Sequence, residues 1–244
     1  MTITDQERAD RLRKGRKIVA VLTRHLADPA RLELLDVGCN VGVISDLLGH
    51  SFARVLGVDV SAEAVAAARA GSRRANVAFE VAQETELPVA SASFDVAVCN
   101  QVYEHARDPE GLMREVHRVL RPGGCCFFGA RNRLHPMDGH YPLPLIHLLP
   151  RRLADLYMRV GGGKPRYDVN LRTYWGLKRL ERGFARHDYT VDVIRDPDTF
   201  ASRDVVPTAL GLNRLLARLA PLPLVYGLIP NYIWMLERRD APAN

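Results

Sequence analysis

No stretch of roughly 18 consecutive apolar residues occurs anywhere in the 244-residue sequence, so no membrane-spanning helix is predicted. The first residues, MTITDQERADRLRKGRK, are polar and charged and lack the apolar centre of a secretory leader. The four cysteines, Cys39, Cys99, Cys125 and Cys126, form no C-x-x-C pair. Three of them fall in strand-like apolar runs, which predicts reduced, buried thiols and a cytoplasmic protein. No spacing of histidine, cysteine or carboxylate suits a metal site, and no metal is expected. Two nucleotide-handling signatures are also missing. G-x-G-x-x-G, the mark of a hydride-transfer cofactor, is absent, and no N/D-P-P-Y/F follows the fourth apolar strand, where the sequence reads CNQVYEH. With no recognizable nucleic-acid module either, a nucleic-acid partner is not expected.

What is present is an alternation of strand-like and helix-like segments. LELLDV (32–37), RVLGVDV (54–60), NVAFEVA (76–82), FDVAVCN (94–100) and CCFFGA (125–130) read as strands. Between them come VISDLLGH, an alanine-rich segment with Ser61 as its N-cap, and EGLMREVHRVL, opened by Pro109 and stopped by RPGG. This βαβ rhythm predicts an α/β fold with a parallel sheet and helices on both faces. After Ala130 the rhythm breaks. Residues 131–173 are rich in proline and glycine, with one helix expected over 151–160. Periodicity returns as a helix over 174–184, a strand over 189–195 (YTVDVIR) and a last strand over 231–239, with a second irregular insert at 196–230. A single domain over 1–244 is expected, with a cofactor-binding half at 17–130 and the two inserts covering an acceptor.

The segment LLDVGCNVG carries the most chemistry. An apolar strand ends in Asp36 and runs into Gly38-Cys39-Asn40-Val41-Gly42. At the carboxyl end of a parallel strand, a glycine turn lets a ligand lie against bare backbone. Asn40 stands where a dinucleotide turn has its second glycine; asparagine accepts the left-handed backbone, but leaves less room for a pyrophosphate. A ligand without phosphates suits this turn better. Twenty-one residues after Gly38, Asp59 ends the second strand, where a carboxylate can accept two hydrogen bonds from a ribose diol or cap the next helix. Asp36 is expected to hold the turn through backbone N–H groups, or to reach the ligand through water.

LLDVGCNVG, GVDVSAEAV, ETELPVASASFDVAVCNQVYEH and LMREVHRVLRPGG, in this order and spacing, resemble the successive motifs of the class I S-adenosylmethionine-dependent methyltransferases. The quinone-biosynthesis branch is the most similar. The resemblance implies a Rossmann-like, doubly wound seven-stranded sheet in the order 3-2-1-4-5-7-6 with the last strand antiparallel, inserts after strands five and six, and S-adenosylmethionine as cofactor. It implies that Gly38, Asn40 and Gly42 approach the amino-acid end of the cofactor, that Asp59 binds the ribose and that Val60 flanks adenine. Gln83 and Glu84 would lie at the adenine edge, and Asn100 would close the pocket. Two positions depart from the family's pattern: Asn40 stands where it usually has glycine, and Gln83 where it often has aspartate.

Methyl transfer depends mainly on alignment and exclusion of water, and needs a base only where the acceptor must lose a proton. Base or acceptor-clamp candidates are His105, after the fourth strand, and His140 and Tyr141, on the proline-stiffened stretch after the fifth. His105 reads equally as a loop histidine packed on the cofactor. Tyr103, Glu104, Arg131, Asn132, His135 and Asp138 are further candidates by position. Ten Lys/Arg against three acids give residues 151–186 a charge of +7 in a chain of +6. This window reads either as a solvated basic face or as an attraction to an anionic acceptor or membrane surface. Residues 209–219, leucine-rich with Arg214 and Arg218, read as an amphipathic helix that packs on the core or lies at a membrane interface. The expected partner is thus a small-molecule acceptor, anionic or amphiphilic, such as a glycan, lipid-linked or natural-product intermediate bearing a hydroxyl. Oligomeric state is not readable. A non-catalytic S-adenosylmethionine-binding module and a nucleotide-dependent oxidoreductase remain open as alternatives.

Overall fold

The structure, a computed structural model, describes residues 3–135, 143–161, 169–204, 206, 208 and 211–239. Its centre is a seven-stranded sheet: β1 (Glu33–Val37), β2 (Arg54–Asp59), β3 (Val77–Val81), β4 (Phe94–Asn100), β5 (Leu120–Arg131), β6 (Phe184–Asp188) and β7 (Asn231–Arg238). The order across the sheet is β3-β2-β1-β4-β5-β7-β6. The first five strands run parallel, and β7 lies antiparallel between β5 and β6. Alternation along the strands divides the core. Leu35, Ala97, Cys99, Cys126 and Phe128 face one layer, while Leu34, Val96, Val98, Cys125 and Phe127 face the other. Both faces therefore need helices, and the chain supplies them.

On one side lie α1 (Asp5–His25), α2 (Val43–Leu48) and α3 (Ala62–Gly71). Thr4 and Glu7 form a reciprocal capping box that starts α1, an element the polar N-terminal sequence did not announce. Its buried stripe, Gly15, Ile18, Val21 and Leu22, has a 3–4 spacing. At Gly15 an added Cβ would stand 2.7 Å from a Leu47 methyl, so the missing side chain sets how closely α1 crosses α2. Ser61 caps α3 by accepting from Ala64 N–H. On the other face, Asp108 accepts from Gly111 N–H and starts α4 (Pro109–Val119). All four cysteines are buried free thiols, and burial pushes each one up from its ordinary range, leaving them unreactive.

Two expectations past Arg131 are corrected. The helix read over 174–184 is a single turn, α6 (Tyr174–Leu177), after α5 (Arg151–Gly161). Gly183 adopts φ +86°, which no right-handed helix accommodates. YTVDVIR is not a strand but α7 (Thr190–Arg195). Its β-branched residues, Thr190, Val191, Val193 and Ile194, favour a strand, yet Thr190 and Val193 are buried at helical spacing. The preceding Asp188 accepts from Thr190 N–H (2.9 Å), an Asx turn that ends β6 just before the helix. The sixth strand is instead FARHD. Only Phe184 in it is buried, because β6 is the sheet's edge. The second insert carries α8 (Leu212–Leu219) and α9 (Pro223–Gly227).

Candidate functional site

The turn after β1 lies at the carboxyl edge of the parallel strands. Gly38, Asn40 and Gly42 have φ of +74°, +50° and +79°. Alternate left-handed residues fold the turn back on itself, and Asn40 adopts the geometry expected of it. What lies against the bare backbone is the protein's own side chains. A Cβ on Gly38 would stand 2.6 Å from a Val102 methyl, and one on Gly42 would stand 2.6 Å from the Phe79 ring. Val102 follows β4 and Phe79 lies on β3. The two glycines therefore let the turn after β1 press against the middle of β3 and the segment just past β4, a role their spacing alone does not reveal.

Every backbone N–H from Gly38 to Gly42 is used within the protein. Gly38 and Cys39 donate to Val58 O, and Gly42 donates to Cys39 O. Val41 N–H donates to the Asn40 side-chain oxygen (2.8 Å). Asn40 N–H donates to Asp59 Oδ2 (2.8 Å), while Ser61 N–H donates to Asp59 Oδ1 (2.9 Å). Asp59 thus clasps the turn and the α3 N-terminus together. Each of its oxygens keeps a free lone-pair direction, and the residue is half-buried. The N–H groups of the turn itself are thus all used, while the first turn of α2 has no side-chain cap. Val60, directly beside the clasp, is 64% exposed and offers an apolar shelf.

Asp36, one residue from the end of β1, is buried and accepts from Ser45 Oγ (2.6 Å). The hydrogen bond found is therefore to a helix hydroxyl, in place of the expected backbone N–H groups. Burial raises its carboxyl from 3.8 to about 7; the Ser45 hydroxyl opposes this and the nearby Asp59 charge adds to it.

The remaining sequence candidates spread around this point. Gln83 is exposed, and its backbone pairs with Glu86 just past β3. Glu84 Oε1 accepts from Asp108 N–H (2.8 Å) and so braces the approach to α4. Asn100 ends β4 with its side-chain oxygen over Gly129, where a Cβ would stand only 2.1 Å away. Beside it Gln101 takes φ +58° and accepts from Lys14 Nζ (2.8 Å), which brings α1 to the rim. Sequence reasoning missed Lys14, Val102 and Phe79; none sits in a recognizable pattern.

Among the acceptor-side candidates, His105 is exposed on the turn that follows Val102. His140, Tyr141 and Asp138 lie outside the described residues. Tyr103 and Asn132 are structural. The buried Tyr103 hydroxyl donates to Arg131 O (2.5 Å) and accepts from Arg172 N–H (3.2 Å). Asn132 Nδ2 donates to Gly227 O and Ile229 O, tying the end of β5 to the second insert. Tyr103→Phe is expected to cost about 1–2 kcal/mol of unfolding free energy in urea titration, with cofactor affinity unchanged. Glu110 and Arg172 form a two-pronged ion pair (2.5 and 2.8 Å), and the guanidinium holds the Glu110 carboxyl below its usual range.

Comparison with known proteins shows what this chain is similar to. Residues 35–128 match the family described as Methyltransferase domain. A ubiquinone biosynthesis O-methyltransferase of Pseudomonas syringae pv. tomato is 34% identical over 136 residues, which cover 53% of this chain and 58% of that protein. The chain thus spans less than two thirds of the length of that curated relative. Among solved structures, an S-adenosylmethionine-dependent methyltransferase from Mesorhizobium loti superposes with a TM-score of 0.61 at 21% identity, covering 93% of this chain and all of that one. The [4+2]-cyclase SpnF superposes with a TM-score of 0.57 at 18% identity, over 93% of this chain and 81% of its own. The sheet order and the matched segment agree: the fold is that of the superposed S-adenosylmethionine-dependent methyltransferase, and residues 35–128 are similar to the methyltransferase domain family, a similarity that implies S-adenosylmethionine as cofactor.

Proposed function

We propose that this protein transfers a methyl group from S-adenosylmethionine to a hydroxyl of a small-molecule acceptor. The observation that carries the reading is the clasp. Asp59 is an acceptor-only group, oriented by two backbone N–H groups and with lone pairs to spare, next to the exposed apolar Val60. A ribose diol on Asp59 and an adenine face on Val60 meet both needs. Asn40 and Val43, standing where a dinucleotide turn has its second and third glycines, disfavour the oxidoreductase alternative. Asn100 and the Gly38–Gly42 backbone would border the amino-acid end of the cofactor, and Gln83 the adenine edge.

When bound, S-adenosylmethionine supplies an activated methyl on a cationic sulfur. The chain's own contribution is to hold the acceptor oxygen in line and to exclude water, an alignment worth about 7–11 kcal/mol. A hydroxyl acceptor must lose its proton, and His105, His140 and Tyr141 are the groups proposed for this step. Oxygen is favoured over nitrogen or carbon by the name of the P. syringae relative; its acceptor is a property of that protein. For this chain the acceptor class is a hydroxylated glycan, lipid-linked or natural-product intermediate.

Calorimetry with S-adenosylhomocysteine tests the cofactor assignment. Asp59→Ala is expected to weaken binding by about 1–3 kcal/mol, roughly 5- to 150-fold, through the lost diol bonds. Equal affinity in parent and variant refutes the ribose role. Incubation with methyl-labelled cofactor and cell extract, followed by mass identification of the product, tests transfer itself. Cofactor binding with no methylated product from any extract points instead to a non-catalytic module.

A further inference from the structure

Helix α8 is built inside out. Its leucines, Leu212, Leu215, Leu216 and Leu219, form one stripe at helical spacing, and all are between 37% and 53% exposed. The side turned to the protein carries Asn213, Ala217 and Ala220 instead. Asn213 Nδ2 donates to Arg195 O (3.1 Å) and fixes that orientation. Arg214 and Arg218, four residues apart and both exposed, make a third row between the two. The apolar surface continues past the helix through Leu224, 79% exposed, and Leu228. From residue 205 to residue 236 the sequence contains no acid, and these two arginines are its only charged residues.

The fold places the α9 end of this surface at the carboxyl edge of the sheet. Because β7 is antiparallel, its first residue, Asn231, pairs with Arg131 at the carboxyl end of β5. The Asn132 amide holds the end of α9 at the same place. The first insert repeats the pattern: Leu153, Leu156 and Val160 of α5 point outward at spacings of three and four.

We propose that the α8–α9 face is a peripheral docking surface for an anionic lipid bilayer. Leucines at this exposure, unpaired with any described element, bury area only against something outside the protein. Charge decides what that is. A second copy laid face to face would bring two pairs of arginines together with no acid in the segment to neutralise them. An anionic leaflet takes the leucines into its interfacial layer and the arginines at its phosphates. The acceptor mouth at the end of β5 then faces the bilayer, and the hydroxyl acceptor would be one that resides in it.

Flotation of the full chain with vesicles at low salt tests this. Binding is expected to vesicles in which about a third of the phosphatidylcholine is replaced by phosphatidylglycerol, and to fall steeply in high salt. Arg214→Ala with Arg218→Ala should weaken it about thirtyfold, and Leu215→Glu with Leu219→Glu should abolish it. S-adenosylhomocysteine calorimetry on the same variants is expected to match the parent, which shows that they fold. Flotation reads the surface and calorimetry reads the cofactor site, so either reading can fail alone. A parent that does not float with the anionic vesicles overturns the proposal. So does a leucine variant that floats as well as the parent, or a parent dimer in sedimentation velocity that this variant converts to monomer.

Discussion

Gly42→Val is expected to remove about 4 kcal/mol of unfolding free energy and, with it, measurable binding of S-adenosylhomocysteine. Two costs add. A valine at φ +79° must hold a left-handed backbone that β-branched residues avoid. Its Cβ must also occupy a point 2.6 Å from the Phe79 ring and 3.0 Å from the Ala68 methyl. Phe79 is itself buried in the sheet, so the ring has nowhere to swing. Gly123→Ala separates the two costs. It has nearly the same φ, +74°, but nothing stands within 4 Å of its added Cβ. That variant should lose only about 1 kcal/mol, while Gly42→Ala should lose clearly more. Urea titrations of the three variants check the ranking. Comparable losses at Gly42 and Gly123 would mean that crowding against Phe79 plays no part.

The contrast with Asn40 shows why the turn was readable only in part. Its left-handed backbone follows from residue type, since asparagine, after glycine, is among the residues that accept that geometry at little cost. The identity of what presses on the glycines does not, because Phe79, on β3, lies 37 residues from Gly42, and Val102, just past β4, lies 64 residues from Gly38. The same divide runs through the fold. β1, β2, β4 and β5 are legible because burial on both faces writes them as continuous apolar runs, β3 because the buried Val77 and Phe79 alternate with exposed residues, and their order follows from the family resemblance. β6 is not, because an edge strand buries little and FARHD carries no apolar pattern. The helix α7 was hidden by its β-branched residues, Thr190, Val191, Val193 and Ile194, a type that favours strands. In the site, Asp36 and Asp59 could be singled out from their strand-end positions. That Asp59 already binds two backbone N–H groups, and that Lys14 reaches Gln101 from α1, are tertiary facts without local signature.

Asp36 yields the second large effect, a dependence of stability on pH. Its carboxyl moves from an unfolded value near 3.8 to about 7 in the fold, because ionising it there means burying a charge with Ser45 as the hydrogen-bond partner and Asp59 close by. The folded state therefore holds a proton that the unfolded chain gives up between pH 4 and 7. A raised folded-state value adds stability that is complete below about pH 4 and declines as pH rises towards 7; above that pH the contribution is gone. The full span is on the order of 4 kcal/mol. Asp36→Asn removes the titration while keeping an oxygen for the Ser45 hydroxyl. Between pH 5 and pH 8 the parent should thus lose about 3 kcal/mol more than the variant does, by urea titration at each pH. All other titrating groups are common to both proteins and cancel in that difference. A difference that stays constant over this range would place the Asp36 charge in contact with water, and would remove the buried carboxyl from the account of the turn.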